Sequence, residues 1–137
     1  MLALKYIAIF LFAGLLISSC ARRDGRDSML RQQIVGTWSQ GLSAETTFLA
    51  DGRFQSDLKR AASDVRIDGT WDVRGGALVF STKHVTESYR PSATHIESVS
   101  GSPNPIFHKI LAVDGTRLTV LTEDPQIGAK TNLWERK

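Results

Sequence analysis

Val65-Arg66-Ile67-Asp68-Gly69-Thr70-Trp71-Asp72-Val73-Arg74 alternates without a break. Val65, Ile67, Gly69, Trp71 and Val73 fill one set of positions, and Arg66, Asp68, Thr70, Asp72 and Arg74 the other. Successive side chains of a strand point to opposite faces, so these residues describe a strand with one apolar and one charged face. A sheet that is wet on one side is antiparallel, because parallel sheets are covered on both faces.

The flanking turns extend that reading. Gly75-Gly76 separates this strand from residues 78–82, Asp51-Gly52 separates 46–50 from 53–58, and Asp114-Gly115 joins 106–113 to 117–122. Asp-Gly and Gly-Gly supply the positive φ angles that tight hairpins require. Three hairpins between neighbouring strands, with no crossover helix, predict an antiparallel up-and-down meander. A last short strand includes residues 133–136. The stretch 85–105 contains Pro91, Pro103, Pro105 and many serines. It is expected as a long loop, of a length that often carries function, with His95-Ile96-Glu97-Ser98-Val99 as an exposed or edge strand within it.

The beginning of the chain has another composition. Lys5 is followed by an apolar run from Tyr6 to Ile17. Crossing a bilayer takes roughly 20 apolar residues; twelve with a basic residue in front fit a signal peptide. The run ends in Leu16-Ile17-Ser18-Ser19-Cys20, which resembles the lipobox of bacterial lipoproteins. That resemblance implies a diacylglyceryl group on the Cys20 thiol, signal cleavage between Ser19 and Cys20, and a further acyl chain, such as palmitate, on the new amine. One acyl chain holds a protein marginally, whereas two or three, at about 0.8 kcal/mol per buried methylene, hold it stably. Cys20 is the only cysteine, and a secreted domain normally uses cysteines in pairs. Lipidation explains the odd one; the alternative is an uncleaved anchor with an incidental cysteine. Position 21 is Ala; in enterobacterial lipoproteins Asp there favours the inner membrane, so the resemblance implies the periplasmic face of the outer membrane.

The chain therefore divides into a signal peptide (1–19), a lipidated N-terminus and tether (20–32) and a β domain (33–137). Residues 21–28 set Arg22, Arg23 and Arg26 against Asp24 and Asp27. They are either a solvated spacer or a basic contact with anionic headgroups, where each arginine contributes about 1 kcal/mol. Asp27 or Ser28 is placed to cap one helical turn through Met29, Leu30 and Ile34. Of the 17 basic side chains only Lys5 precedes Cys20, which leaves 16 against 14 acidic groups. That balance argues against nucleic acid as a partner. Without disulfides, an apolar core alone must hold the domain.

Gly36-Thr37-Trp38, Thr46-Thr47-Phe48 with Ala50-Asp51-Gly52-Arg53-Phe54, and Gly69-Thr70-Trp71-Asp72-Val73 with Leu78 resemble the small lipocalin-like domains of bacterial envelope proteins. The resemblance covers residues 33–137 and implies an all-β meander closing into a barrel or a strongly curved sheet. In the wider superfamily Gly-x-Trp opens the first strand, matched by Gly36 and Trp38, and a late arginine packs over that tryptophan. Arg136 takes that place, a cation–π contact of about 0.5–2 kcal/mol.

Catalytic chemistry is scarce. His84, His95 and His108 have no compact zinc-binding spacing, although a meander can bring the segments of His84 and His108 together. Ser56-Asp57-Leu58-Lys59 matches the S-x-x-K of penicillin-recognising enzymes, but in a strand Ser56 and Lys59 fall on opposite faces. No glycine-rich phosphate loop is present, and neither an enzyme, a metal nor a cofactor is expected. Trp38, Phe48, Phe54, Trp71, Phe80 and Phe107, with Trp134, either line a pocket or constitute the core. An eight-stranded barrel is filled by side chains or holds one small ligand. The expected function is a membrane-anchored barrel that binds a small apolar or amphipathic molecule. The alternative is a filled barrel that contacts another envelope protein through the 85–105 stretch or a sheet edge. A binder keeps a void above Trp38 or beside Phe80.

Overall fold

The alternation carries through the computed structural model, which describes residues 25–90, 95–98, 104–126 and 128–137. Ser19 and Cys20, with the whole expected signal peptide, lie outside the described residues. A helix, α1 (residues 25–34), leads into nine strands. They are β1 Gly36–Gln40, β2 Ala44–Phe48, β3 Arg53–Lys59, β4 Ser63–Arg74, β5 Ala77–Tyr89, β6 His95–Ser98, β7 Ile106–Val113, β8 Arg117–Asp124 and β9 Gly128–Arg136.

All pairings are antiparallel. β1 to β5 pair in chain order, β5 pairs with β7, and β7, β8 and β9 return to β1, so eight strands close a barrel. Closure removes the sheet edges that would otherwise expose unpaired backbone. The ninth strand, β6, adds to β5 alone. β5 is longer than its sequence suggests, since 83–89 continue a strand expected to stop at residue 82. Residues 85–89 pair with β4 from Ile67 to Ser63, and 85–88 also pair with β6. Part of the expected loop is thus strand, and the prolines that obscured it fall after Tyr89. β9 likewise starts at Gly128, five residues before its apolar signature begins at Leu133.

One end of the barrel is closed by aromatic packing. Phe48 is 1% exposed and lies 5.0 Å from Trp71, 5.7 Å from Phe80 and 5.8 Å, stacked, from Trp134. Each such pair is worth about 0.5–1.5 kcal/mol beyond its buried area. Across this end runs α1, which buries Ile34 completely and packs Leu30 against the same cluster. Asp27 does not cap the helix. It sits within the first turn, and its carboxylate accepts from Gly75 N at 2.7 Å and Gly76 N at 2.9 Å. Those glycines have φ of 58° and 74°, the two positive angles of a tight hairpin, and this conformation leaves both amides pointing at the carboxylate.

Arg136, two residues beyond Trp134, crosses the end of β1. Its guanidinium lies 4.5 Å over the Trp38 ring and donates to Val35 O at 3.1 Å and Gln33 O at 2.5 Å. Trp38 Nε1 donates to Ile34 O at 2.7 Å. The second Gly-Thr-Trp repeats the arrangement, with Arg31 5.3 Å over the Trp71 ring and Trp71 Nε1 donating to Leu49 O at 3.0 Å.

Candidate functional site: the open end of the barrel

The inward positions change character along the barrel. Towards the closed end they hold Trp38, Phe48, Trp71, Val73, Leu78 and Leu118, all buried. Towards the other end they hold Thr46, Ser56, Thr82, His108, Thr122 and Asn132. These shorter side chains cannot meet across the barrel, and a cavity of about 430 Å³ remains. Phe54, Ile67, Phe80 and Trp134 form its apolar floor, while Gln40, Asp124 and Lys130 stand at its mouth, at strand ends.

The polar lining is largely paired with itself. Thr46 Oγ1 and Ser56 Oγ are 2.8 Å apart. Asn132 Nδ2 donates to Thr122 Oγ1 at 3.0 Å, and that oxygen lies 2.6 Å from His108 Nδ1. A hydroxyl has one proton and two lone pairs, so a threonine that accepts from Asn132 can either donate to Nδ1 or accept from it, and both imidazole tautomers fit the network. The ring meets Phe80 edge-on at 5.3 Å. Burial pushes the His108 pKa below 6.5, so the imidazole is neutral at pH 7. The cavity wall thus carries neutral donors and acceptors, with its two charges at the mouth. Trp134 Nε1, covered by its neighbours, has no acceptor among the described residues, at a cost of about 1–3 kcal/mol.

The aromatic residues divide between core and cavity. Trp38, Phe48 and Trp71 belong to the packed end, and Phe54 and Phe80 serve both, buried on one side and flooring the cavity on the other. Phe107 is the correction. It is 57% exposed on the outside of β7, opposite Val79. The strand period turns its neighbours Ile106 and His108 inward instead, and both line the cavity. What residue-by-residue reading missed is the polar lining, whose trace in the sequence is Thr or Ser at inward positions where an apolar residue would fill the core.

The other candidates do not assemble. His84 faces outward opposite Asp68, and β5 meets β7 only over residues 77–80, so His84 and His108 stay apart. Among the described residues no group of His, Cys, Asp or Glu is arranged to hold a metal ion. Ser56 lines the cavity, while Lys59 is exposed on the other face. A larger hollow of about 590 Å³ lies outside the barrel, among Glu45, Asp57, Lys59, Asp64, Arg66 and Lys137. Apart from Lys59, its charges are spent on ion pairs: Arg66 with Asp57 at 2.9 Å, Arg90 with Asp64 at 3.3 Å, and Lys137 with Glu45. The smaller cavity is the better site, because it joins an aromatic floor to polar walls inside the fold. The chain matches no protein-family model, no curated protein and no solved structure.

Proposed function

We propose that this protein is a lipid-anchored lipoprotein of the bacterial cell envelope whose barrel takes a small amphipathic molecule into its open end. The observation that carries the binding reading is the half-filled interior. A cavity of about 430 Å³ beside Phe80 falls in the range of about 300–1,000 Å³ typical of ligand pockets, and it sets an aromatic floor against a polar wall. The apolar part of the ligand lies on Phe54, Phe80 and Trp134, and its polar part meets the hydroxyls, Asn132 and the mouth. Lys5, the apolar run and Ile17-Ser18-Ser19-Cys20 support the anchor, and Ala21 supports the periplasmic face of the outer membrane.

Native mass spectrometry tests the binding. Protein extracted from membranes in mild detergent should carry a lipid-sized mass, which Ser56→Phe should remove by filling the cavity. Repeated recovery of empty wild-type protein would overturn the reading. Globomycin, which blocks lipoprotein signal cleavage, tests the anchor: treated cells should accumulate a slower-migrating precursor, and unchanged mobility would sink the Cys20 assignment.

A further inference from the structure

The outside of the barrel has two unlike halves. On β3 and β4 the outward positions are mostly charged and several are paired with each other, as with Asp57 and Arg66 or Asp72 and Arg74. On β7 to β9 they carry Phe107, Leu111 and Leu133, 57%, 48% and 51% exposed, with half-buried Leu121 between. The register gathers them. Leu133 stands opposite Thr119, which stands opposite Ala112, beside the irregularity that turns Leu111 outward; Leu121 stands opposite Lys109. Single exposed apolar residues are ordinary, whereas a contiguous group marks a contact surface.

The N-terminal segment leaves the barrel beside this group. Asp27 is bound to Gly75 and Gly76, and Gly76 O accepts from Ile110 N at 3.0 Å, one residue before Leu111. Only six residues lie between Cys20 and Asp27, so the seven Cα-to-Cα steps reach at most about 25 Å. Resting on the anchor reading above, we infer that the outer face of β7–β9 lies against the bilayer that holds the acyl chains. Phe107, Leu111 and Leu133 enter the headgroup boundary, as the apolar side of an interfacial element does. Lys109 and Arg117 are offset on the same face by Glu123 and Glu135, so apolar contact and not net charge holds it. The barrel then lies on its side, its mouth along the membrane surface.

Tryptophan reporters test this in the full lipidated protein. Phe107→Trp and Leu133→Trp place an indole on the proposed face, and Gln55→Trp places one on the opposite half. Each variant is reconstituted in vesicles of phosphatidylethanolamine and phosphatidylglycerol containing phosphatidylcholine brominated near the top of its acyl chains. The emission added over wild type should be largely lost at 107 and 133 and unchanged at 55; two reporters keep the test standing if one fails to fold. Equal emission at all three positions, in protein that floats with the vesicles, would overturn the inference and leave the anchor intact. A cross-linked dimer with unquenched 107 and 133 would overturn it in favour of a second copy on the face. Protein that does not float overturns the anchor reading and this inference with it.

Discussion

A methyl group at position 69 would lie 2.1 Å from the Ser81 carbonyl oxygen and 2.7 Å from the Phe54 ring. The register shifts between Asp68 and Gly69, and the missing side chain lets β5 and the cavity floor close onto β4 there. Overpacking costs about 1–3 kcal/mol. With strand backbone as one neighbour, Gly69→Ala should reach the upper end of that range and lower the thermal midpoint by circular dichroism; an unchanged midpoint would show that the strands slide apart freely. His108 gives a pH effect of definite sign. Its pKa is lowered in the fold by burial, so between that lowered value and the ordinary one near 6.5 the unfolded chain binds more protons. Stability therefore falls as pH drops through this window and levels off below it. Urea midpoints between about pH 7 and pH 5 should show the slope in wild type and a flatter line in His108→Gln; equal slopes would remove His108 as the cause. Gly69 was legible as an inward position of a strand, but its need for bare backbone was not, because Ser81 and Phe54 reach it from strands paired only in the folded chain.

At the scale of elements, α1 shows what holds a helix too short to stand alone. Ten residues are marginal alone in water, and this helix rests on buried Ile34, on Leu30, and on Asp27 bound to the β4–β5 turn. Hydrogen bonds to a charged group are worth about 1.5–3 kcal/mol each, less here because the site is partly exposed. Asp27→Ala should cost about 1–2 kcal/mol and speed amide exchange through the first turn of α1, leaving β8 unaffected; protection retained in α1 would mean that Ile34 alone suffices. From the sequence, Asp27 reads as a tether charge and a candidate cap of the helix, and its bond to the β4–β5 turn was not legible, since its partners lie 48 and 49 residues away. The β4 strand and the hairpins at Asp51-Gly52, Gly75-Gly76 and Asp114-Gly115 were legible because their signals are local. The second half of β5 was not, as its inward residues include Glu87, whose carboxylate accepts from Ser63 Oγ at 2.7 Å. Glu87 stays partly exposed and also pairs with Arg60 at 3.6 Å, so no apolar alternation marks this half of the strand.

Across the whole molecule, the wall is unevenly stitched. β4 and β5 pair from Ser63–Tyr89 to Arg74–Ala77, whereas β1 and β9 meet only at Trp38–Arg136 and Ser39–Glu135. The short seam is fastened by the Arg136 guanidinium on Trp38 and its bonds to Gln33 O and Val35 O. Arg136→Ala should therefore raise amide exchange in β1 and β9 together while β4 and β5 stay protected; uniform loss across all strands would mean that the barrel opens only by global unfolding. The cavity itself was the least legible feature. Thr46, Ser56, Thr82 and Thr122 are unremarkable one at a time, and only closure of the sheet sets them facing one another across empty space.

The divergence of β5 bears on how its two halves are held. Its lower part is bonded to β7 over residues 77–80 and its upper part to β6 over 85–88, so residues 81–84 have no backbone partner on that flank in the described sheet. Thr82 and Ile106, both of the cavity lining, stand on either side of this interruption. On this flank the described ladders give the two halves of β5 to different neighbours, so a shift of the upper half with β6 strains no ladder hydrogen bond to β7.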